Sequence, residues 1–305
     1  MSIQQLVPAP VEGLLGGFDE FMREVRGLRP LTRQCYVRQV RPFVVSLADS
    51  DEVVSLDSLS GAVVRDFVTA LSERYSPESV KLIATSIRAF LRFAWVRGYL
   101  DRDLAPAVGL VVTRRSGKIP KALAHGELDR LLQVPDRSLA AGARDYAILV
   151  VLSRLGLRAG EAAGLELDDF HWRAGTVSTG VKGGGRSLLP LPQEVADAVV
   201  EYLQVRPVCD ARAVFLTVKG LVRALTGGAI TAMVARHAAR AGLGTVRAHR
   251  LRHTAARQIL DAGGTLAEVG QLLGHRDPQV TMMYASFDLE SLRALTQPWP
   301  MVVQP

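Results

Sequence analysis

Apolar residues recur at three- and four-residue steps along most of this 305-residue chain, which constrains its fold more than any other feature. In the first hundred residues this spacing predicts four amphipathic helices, the first running from Val11 to about Arg26. We expect Thr32 to cap the second helix and Pro42 to bend or interrupt it. Ser60 and Ser76 are expected to cap the third and fourth helices. Because no strand pattern occurs in this part and residues 1 to about 10 show little periodicity, we predict a compact four-helix bundle after a loose lead-in.

The remaining two thirds of the chain mix helical and strand patterns. Residues 176–191 alternate as strands do around a turn at Lys182 to Gly185, which predicts a β-hairpin with Lys182 at its tip. The segment Ala143–Leu155 is apolar enough for a buried helix, and Gly156 is expected to end it. Further helices are predicted at about His125–Gln133, Ala159–Leu165, Pro192–Val205, Thr226–Ala241, His249–Ala262, Leu266–Leu273 and Leu289–Leu295.

These patterns predict a mainly α protein with a small β-hairpin or sheet in its second domain. Prolines, glycines and a group of basic residues change the composition over residues 101–120. We therefore expect a helical domain at residues 11–105, a linker at 106–120 and a second domain at 121–297.

The charge balance favours a polyanionic partner such as nucleic acid, although a merely basic protein would show the same balance. Lys and Arg number 37 against 30 Asp and Glu, for a formal net charge of +7. No run of apolar residues is long enough to span a membrane, and the first residues do not resemble a signal peptide. Two distant cysteines, Cys35 and Cys209, indicate neither a disulfide framework nor a zinc site. We expect a cytoplasmic protein that uses no metal or cofactor.

Basic residues also lie on two of the predicted N-terminal helices. They could form a solvated face, or they could contact the phosphates of a DNA duplex, and the sequence does not decide between the two. These residues are Arg33, Arg38 and Arg41 on the second helix and Lys81, Arg88 and Arg92 on the fourth.

Two motifs come close to known sites but lack a required residue. The string GVKGGGRS, residues 180–187, is near the phosphate-binding loop of nucleotide-binding proteins, yet Arg186 stands where that loop has lysine, and strand-like residues follow. His249 and His253 would share a helix face as in zinc proteases, but Arg250 replaces the glutamate that such a helix needs. Neither motif predicts a nucleotide or metal site.

The segment from Ala248 to Ala285 collects side chains that suit an attack on a phosphodiester. The side chains of interest are those of His249, Arg252, His275 and Tyr284. Arginine binds phosphate oxygens with a planar fork of donors, and a neutral imidazole can take a proton near pH 7. We predict that Tyr284 is the nucleophile, with Arg158 and Lys182 completing the site from upstream.

The ordered strings GLRAGEAAGL, VKGG, AHRLRHTAA and LLGHRDPQVTMMYA resemble the tyrosine recombinases, that is, the phage-integrase or Xer-like family. The resemblance covers roughly Val11 to Leu295 and implies an N-terminal SAM-like core-binding bundle followed by the catalytic domain. The family's site series is present as Arg158, Lys182, His249, Arg252, His275 and Tyr284.

The resemblance also implies roles for these residues. Arg158, Arg252 and His275 would bind the phosphate, His249 would take the proton of Tyr284, and Lys182 would protonate the leaving 5′ oxygen. Glu161, three residues after Arg158, resembles the family's acidic residue that orients the site. The alternative, a simple ion pair between Glu161 and Arg158, would also hold Arg158 in place.

We therefore expect a site-specific recombinase that cleaves and rejoins double-stranded DNA through a 3′-phosphotyrosyl link, for integration, excision or dimer resolution. The resemblance implies a homotetramer on two recombination sites and leaves room for a related recombinase or an accessory protein as a further partner. The alternatives are a type IB topoisomerase, which shares this chemistry but relaxes supercoils, and a DNA-binding regulator without catalysis.

Overall fold

The computed structural model describes residues 9–49, 51, 53–56, 59–110, 122–180, 185–274 and 281–284. The chain divides into two compact units, residues 1–116 and 117–305. None of the described helices combines the length and the apolarity that crossing a membrane requires.

Four α-helices and a short β-ladder form the described part of the first unit. The helices are α1 Val11–Glu24, α2 Pro30–Val45, α3 Gly61–Arg74 and α4 Pro77–Val96. Two-residue strands, β1 Ala9–Pro10 and β2 Val53–Val54, pair antiparallel. A 3₁₀ helix at Ala105–Val108 packs its buried residues onto the same core. The four-helix bundle is confirmed.

Aromatic rings fill the centre of this bundle. Phe18, Phe43 and Phe90 are fully buried, and Phe18 meets Phe90 edge to face with the ring centroids 5.5 Å apart. Edge-to-face packing places the positive rim of one ring against the negative face of the next, so the pairs add to the hydrophobic burial.

Three local predictions for this unit are wrong. Thr32 does not cap α2, because Pro30 already occupies its first position and Arg29 is the cap residue. Of the two effects expected of Pro42, the interruption is wrong, because α2 continues to Val45. The expectation of no strands also failed, since a pairing as short as β1–β2 depends on tertiary contact and leaves no sequence pattern. The caps at Ser60 and Ser76 are confirmed, since each hydroxyl accepts a backbone N–H.

Seven helices and one small sheet form the described part of the second unit. The helices are α5 His125–Leu132, α6 Ala140–Arg154, α7 Ala159–Ala163, α8 Gln193–Val205, α9 Gly227–Arg240, α10 Ala248–Asp261 and α11 Leu266–Leu273. The sheet has the antiparallel order β3 Phe170–His171, β4 Thr176–Gly180, β5 Arg186–Pro190. The predicted hairpin is confirmed in β4 and β5, whereas β3 was not foreseen. The turn residues 181–184 and the helix predicted at Leu289–Leu295 lie outside the described residues.

Helix α6 runs through the core of this unit, as its composition predicts. Residues 147–152 are fully buried and pack among the other helices and the sheet. Its buried Asp145 accepts a hydrogen bond from the Nε of Arg144 at 2.9 Å and lies 2.8 Å from Nε2 of His237 on α9. This polar contact ties α6 to α9. Gly156 follows α6 with φ of +61°, the left-handed conformation that ends a helix most readily at glycine.

Candidate active site

The short turn after α6 places Arg158 beside the first turn of α7. The carboxylate of Glu161 accepts the backbone N–H of Arg158 at 2.8 Å and its guanidinium Nη1 at 2.6 Å. The same carboxylate lies 3.9 Å from Nη1 of Arg252. The predicted ion pair between Arg158 and Glu161 is confirmed, and Glu161 in addition sets the two arginines relative to each other.

Helix α10 carries Arg252 into the interior, where the side chain is 2% exposed. Its Nη1 donates to the carbonyl of Gly156 at 2.7 Å, and its Nη2 donates to the carbonyl of Leu273. Burial, and then the charge of Arg158, lower the pKa of Arg252 to about 10. The side chain therefore still carries its positive charge at neutral pH.

His249 lies one helical turn before His253 on α10, as the four-residue spacing predicts. Their ring centroids are 4.4 Å apart and the rings meet edge to face. The side chain of His249 is exposed in part, yet desolvation, and then the charges of Arg252 and Arg158, lower the pKa of its imidazole. Its neutral form, the one that can accept a proton, therefore prevails at neutral pH.

Tyr284 lies in a short 3₁₀ helix, Met282–Tyr284, and is 1% exposed. Its ring belongs to a small apolar cluster with Ala256 of α10 and with Val269 and Leu273 of α11. Its hydroxyl lies 2.7 Å from Nδ1 of His253. Burial raises the pKa of Tyr284 to about 12, although the charges of Arg252 and Arg158 act in the opposite direction.

The structure thus brings together four of the six residues that the sequence singled out, namely Arg158, His249, Arg252 and Tyr284. Lys182 and His275 lie outside the described residues. His253 was expected only to share a helix face with His249, and its contact with Tyr284 was not predicted from the sequence. The signal available was its position, one residue after Arg252 and one turn after His249.

An ion pair between a buried aspartate and an exposed arginine supports the β4–β5 hairpin, whose turn is predicted to contain Lys182. Asp169, which is 6% exposed, accepts the backbone N–H of Glu166 at 2.9 Å and pairs with Arg186 at the start of β5. Arg186 stands opposite Gly180 in the β4–β5 register. Arg186 therefore supports the base of the hairpin. Among the described residues, no three His, Cys, Asp or Glu side chains are grouped so that they could hold a metal ion.

Residues 121–290 match the phage integrase family, and residues 15–98 match the phage integrase N-terminal SAM-like domain. The chain is 38% identical over 297 residues to y4rA of Sinorhizobium fredii, which is named as an integrase/recombinase. The aligned region covers 96% of this chain and 72% of that protein. The chain is 29% identical over 291 residues to the tyrosine recombinase XerD of Lacticaseibacillus casei, covering 93% and 97% of the two chains.

Among solved structures, the fold is similar to that of the XerH site-specific recombinase bound to a palindromic difH substrate in a post-cleavage complex. The TM-score is 0.75 at 20% identity, over 96% of this chain and 98% of that one. A lambda integrase tetramer bound to a Holliday junction gives a TM-score of 0.71 at 15% identity, over 92% and 78% of the chains.

The chain belongs to the phage integrase family of tyrosine recombinases. The family, the fold class and the enzyme class expected from the sequence, a tyrosine-type site-specific DNA recombinase, are confirmed. The names of these relatives favour a recombinase over the two alternatives, a type IB topoisomerase and a non-catalytic DNA-binding regulator.

Proposed function

We propose that Tyr284 cleaves one strand of duplex DNA by attacking a phosphodiester, which forms a 3′-phosphotyrosyl link and releases a 5′ hydroxyl. The observation that carries this proposal is the position of the phenol. It is buried within the field of Arg252 and Arg158, and an imidazole of α10 lies at its hydroxyl. Positive charge at that place would stabilise both the attacked phosphate and the developing phenolate.

The arginines suit the phosphate for a geometric reason. Each guanidinium has five N–H donors in one plane, and the two carbonyls bound by Arg252 each take one. Donors therefore remain to hold the non-bridging oxygens, together with Arg158, whose side chain is 39% exposed. Glu161 keeps the two guanidinium groups in a fixed relation before DNA arrives, so little reorganisation is needed.

Proton transfers complete the step. As the bond from the phenol oxygen to phosphorus forms and the bond from phosphorus to the 5′ oxygen breaks, the phenol proton passes to an imidazole of α10. On the family resemblance, Lys182 protonates the leaving 5′ oxygen and His275 adds a hydrogen bond to the phosphate. Because the phosphotyrosyl link retains the energy of the broken bond, the reverse reaction rejoins the DNA without a nucleotide or a metal.

Double-stranded DNA is the proposed partner, and the chain is proposed to act as a homotetramer on two recombination sites. The net charge of +7 supports a polyanionic partner. The related structures named above contain DNA, and one is a tetramer on a Holliday junction. The proposed domain bounds remain 11–105 for the core-binding domain, 106–120 for the linker and 121–297 for the catalytic domain.

The six basic residues that the sequence identified on α2 and α4 differ in their partners and in their exposure. Arg33 pairs with Asp19 at 3.0 Å, Arg41 pairs with Glu12, and Arg88 donates to the carbonyl of Gly109 at 2.7 Å. The exposed residues among the six are better placed to contact DNA phosphates, and these are Arg38, Lys81, Arg92 and Arg41.

The test is to trap the covalent adduct. Nicked duplexes with a random central sequence lose the short fragment after cleavage and cannot be rejoined, so a phosphotyrosyl enzyme accumulates and its attached DNA can be sequenced. We expect an adduct with a recurring sequence for the wild-type protein and none for Tyr284→Phe, with the DNA affinity of that variant largely retained. An adduct that survives Tyr284→Phe would remove Tyr284 from this role.

A further inference from the structure

His253 contacts the atom of Tyr284 that would react. Nδ1 of His253 lies 2.7 Å from the phenol oxygen, within the range of a strong hydrogen bond. Both side chains are buried, with His253 9% and Tyr284 1% exposed, and their ring centroids are 5.5 Å apart. Water has little access to this contact, so the imidazole and the phenol interact in a medium of low polarity.

Packing on two helices holds this contact in place. The phenol ring lies against Ala256 of α10 and against Val269 and Leu273 of α11. Because His253 precedes Ala256 by three residues on α10, the helix that packs the ring also presents the imidazole to the hydroxyl. The carbonyl of Leu273 accepts Arg252, so the same packing connects Tyr284 to the phosphate-binding arginine.

The chemistry of attack needs a proton acceptor at this place. A buried phenol with a pKa of about 12 keeps its proton at neutral pH, and it must lose that proton as its oxygen bonds to phosphorus. A neutral imidazole with an unprotonated Nδ1 can take it. The resemblance to the family implies His249 for this task, but His253 lies at hydrogen-bond distance from the hydroxyl, and its ring meets that of His249 at 4.4 Å.

We infer that His253 is the first acceptor of the Tyr284 proton and that it orients the nucleophile through the same hydrogen bond. The inference rests on the proposed function of Tyr284. As the bond from the phenol oxygen to phosphorus forms and the bond to the 5′ oxygen breaks, the phenol proton moves to Nδ1 of His253. The leaving oxygen takes its proton from Lys182, the proposed general acid. On rejoining, each proton returns along the same path.

The decisive variant is His253→Asn, because the amide oxygen of asparagine can occupy the place of Nδ1 and accept a hydrogen bond but cannot take the proton. We expect His253→Asn to slow covalent adduct formation by about 10²–10⁴-fold, the usual contribution of general acid–base catalysis. The probe is a nicked duplex of the sequence recovered from the random pool. The matched variant is His249→Asn, one turn earlier on the same helix face.

A nucleophile with a lower pKa then distinguishes a defect in proton transfer from a defect in packing. Trifluorotyrosine introduced at position 284 ionises near neutral pH and has less need of an acceptor. We expect it to reduce the defect of His253→Asn at least tenfold and to leave the defect of His249→Asn nearly unchanged. Three results would each overturn the inference. The His253→Asn variant could form the adduct at the wild-type rate, its slower rate could persist with trifluorotyrosine, or trifluorotyrosine could restore the rate of His249→Asn alone.

A second measurement requires no DNA. The ¹⁹F resonance of 3-fluorotyrosine at position 284 reports the surroundings of the phenol in the full-length protein. It should shift further in His253→Leu than in His249→Leu, and equal shifts would contradict the contact on which the inference depends. If the wild-type protein forms no adduct with any duplex of the pool, the proposed function fails; if it does and His253→Asn reacts normally, only the role of His253 fails.

Discussion

Arg252 keeps a charge in the interior because several acceptors surround it. Removing a guanidinium from water is costly, and two backbone carbonyls and the nearby Glu161 offset that cost. With a pKa lowered to about 10, the group stays protonated throughout the physiological range. In the proposed role of Arg252, the buried position would also place its charge where it is weakly screened.

Lys182 can be tested by changing the leaving group of the DNA. Lys182→Ala should slow cleavage of ordinary DNA strongly, because the 5′ oxygen leaves without a proton. Replacing that oxygen with sulfur, which leaves without protonation, should remove most of the defect. The measurement is the rate of adduct formation on the two duplexes, and equal defects on both would exclude Lys182 as the general acid.

The lowered pKa of His249 leads us to expect that the stability of the fold depends on pH. This pKa is lowered in the folded protein by burial and by the charges of Arg252 and Arg158. As the pH falls below about 6.5, the unfolded chain binds a proton that the folded protein still excludes, so the free energy of unfolding falls until the folded pKa is passed. His249→Gln should therefore lose less stability than the wild type between pH 7 and pH 5.

Denaturant unfolding at several pH values measures this difference. At pH 8 the imidazole is neutral in both states, so a difference between the two proteins there reports packing alone. Identical dependence on pH in His249→Gln and in the wild type would show that His249 does not contribute to it.

At the scale of elements, the turn after α6 determines where Arg158 and Arg252, the proposed phosphate ligands, meet. Gly156 ends the helix, offers its carbonyl to Arg252 and precedes Arg158 by two residues. A Cβ at this position would lie 2.7 Å from Cδ2 of Leu273, closer than real Cβ atoms approach other carbons. Two requirements therefore favour glycine here: the left-handed backbone, and room for the end of the buried Leu273 side chain, which a Cβ would displace.

Gly156→Ala separates these two requirements when it is compared with Gly175→Ala. Both glycines have a positive φ, +61° and +62°, but a Cβ on Gly175 meets nothing within 4 Å. We expect Gly175→Ala to lose about 1–2 kcal/mol from backbone strain alone. Gly156→Ala should lose more and should also slow DNA cleavage, since Arg252 is disturbed. Equal losses in the free energy of unfolding would show that the packing against Leu273 is unimportant.

Local patterns were enough to predict most of the helices. The apolar spacing gave Leu266–Leu273 with the bounds found for α11, and α10 begins only one residue before its predicted start. The β1–β2 ladder and β3 were missed because strands of two residues are stabilised by their neighbours. The N-cap of α2 was wrongly predicted at Thr32, because the helix already begins at Pro30, two residues earlier.

In the candidate site, too, local contacts could be predicted from the sequence and long-range contacts could not. The sequence identified side chains by type and order, and the ion pair of Arg158 with Glu161 follows from their spacing on one helical turn. The contact of His253 with Tyr284 joins residues 31 positions apart and depends on how α11 packs against α10. No periodicity in the sequence encodes such a contact.

At the scale of the whole molecule, two compact units follow from two separate hydrophobic cores. The first unit offers exposed basic residues on α2 and α4, and the second holds the arginines and the tyrosine. A net charge of +7 suits a protein whose two units both bind the DNA backbone. In the proposed mechanism the phosphotyrosyl link would retain the energy needed to rejoin the DNA.

The central claim is the covalent link between DNA and Tyr284, and mass spectrometry of the trapped adduct tests it most directly. After digestion with trypsin and nuclease, we expect a nucleotide attached through its 3′ phosphate to the phenol of Tyr284. A nucleotide on another residue, such as Tyr202, or a link through a 5′ phosphate would contradict the account.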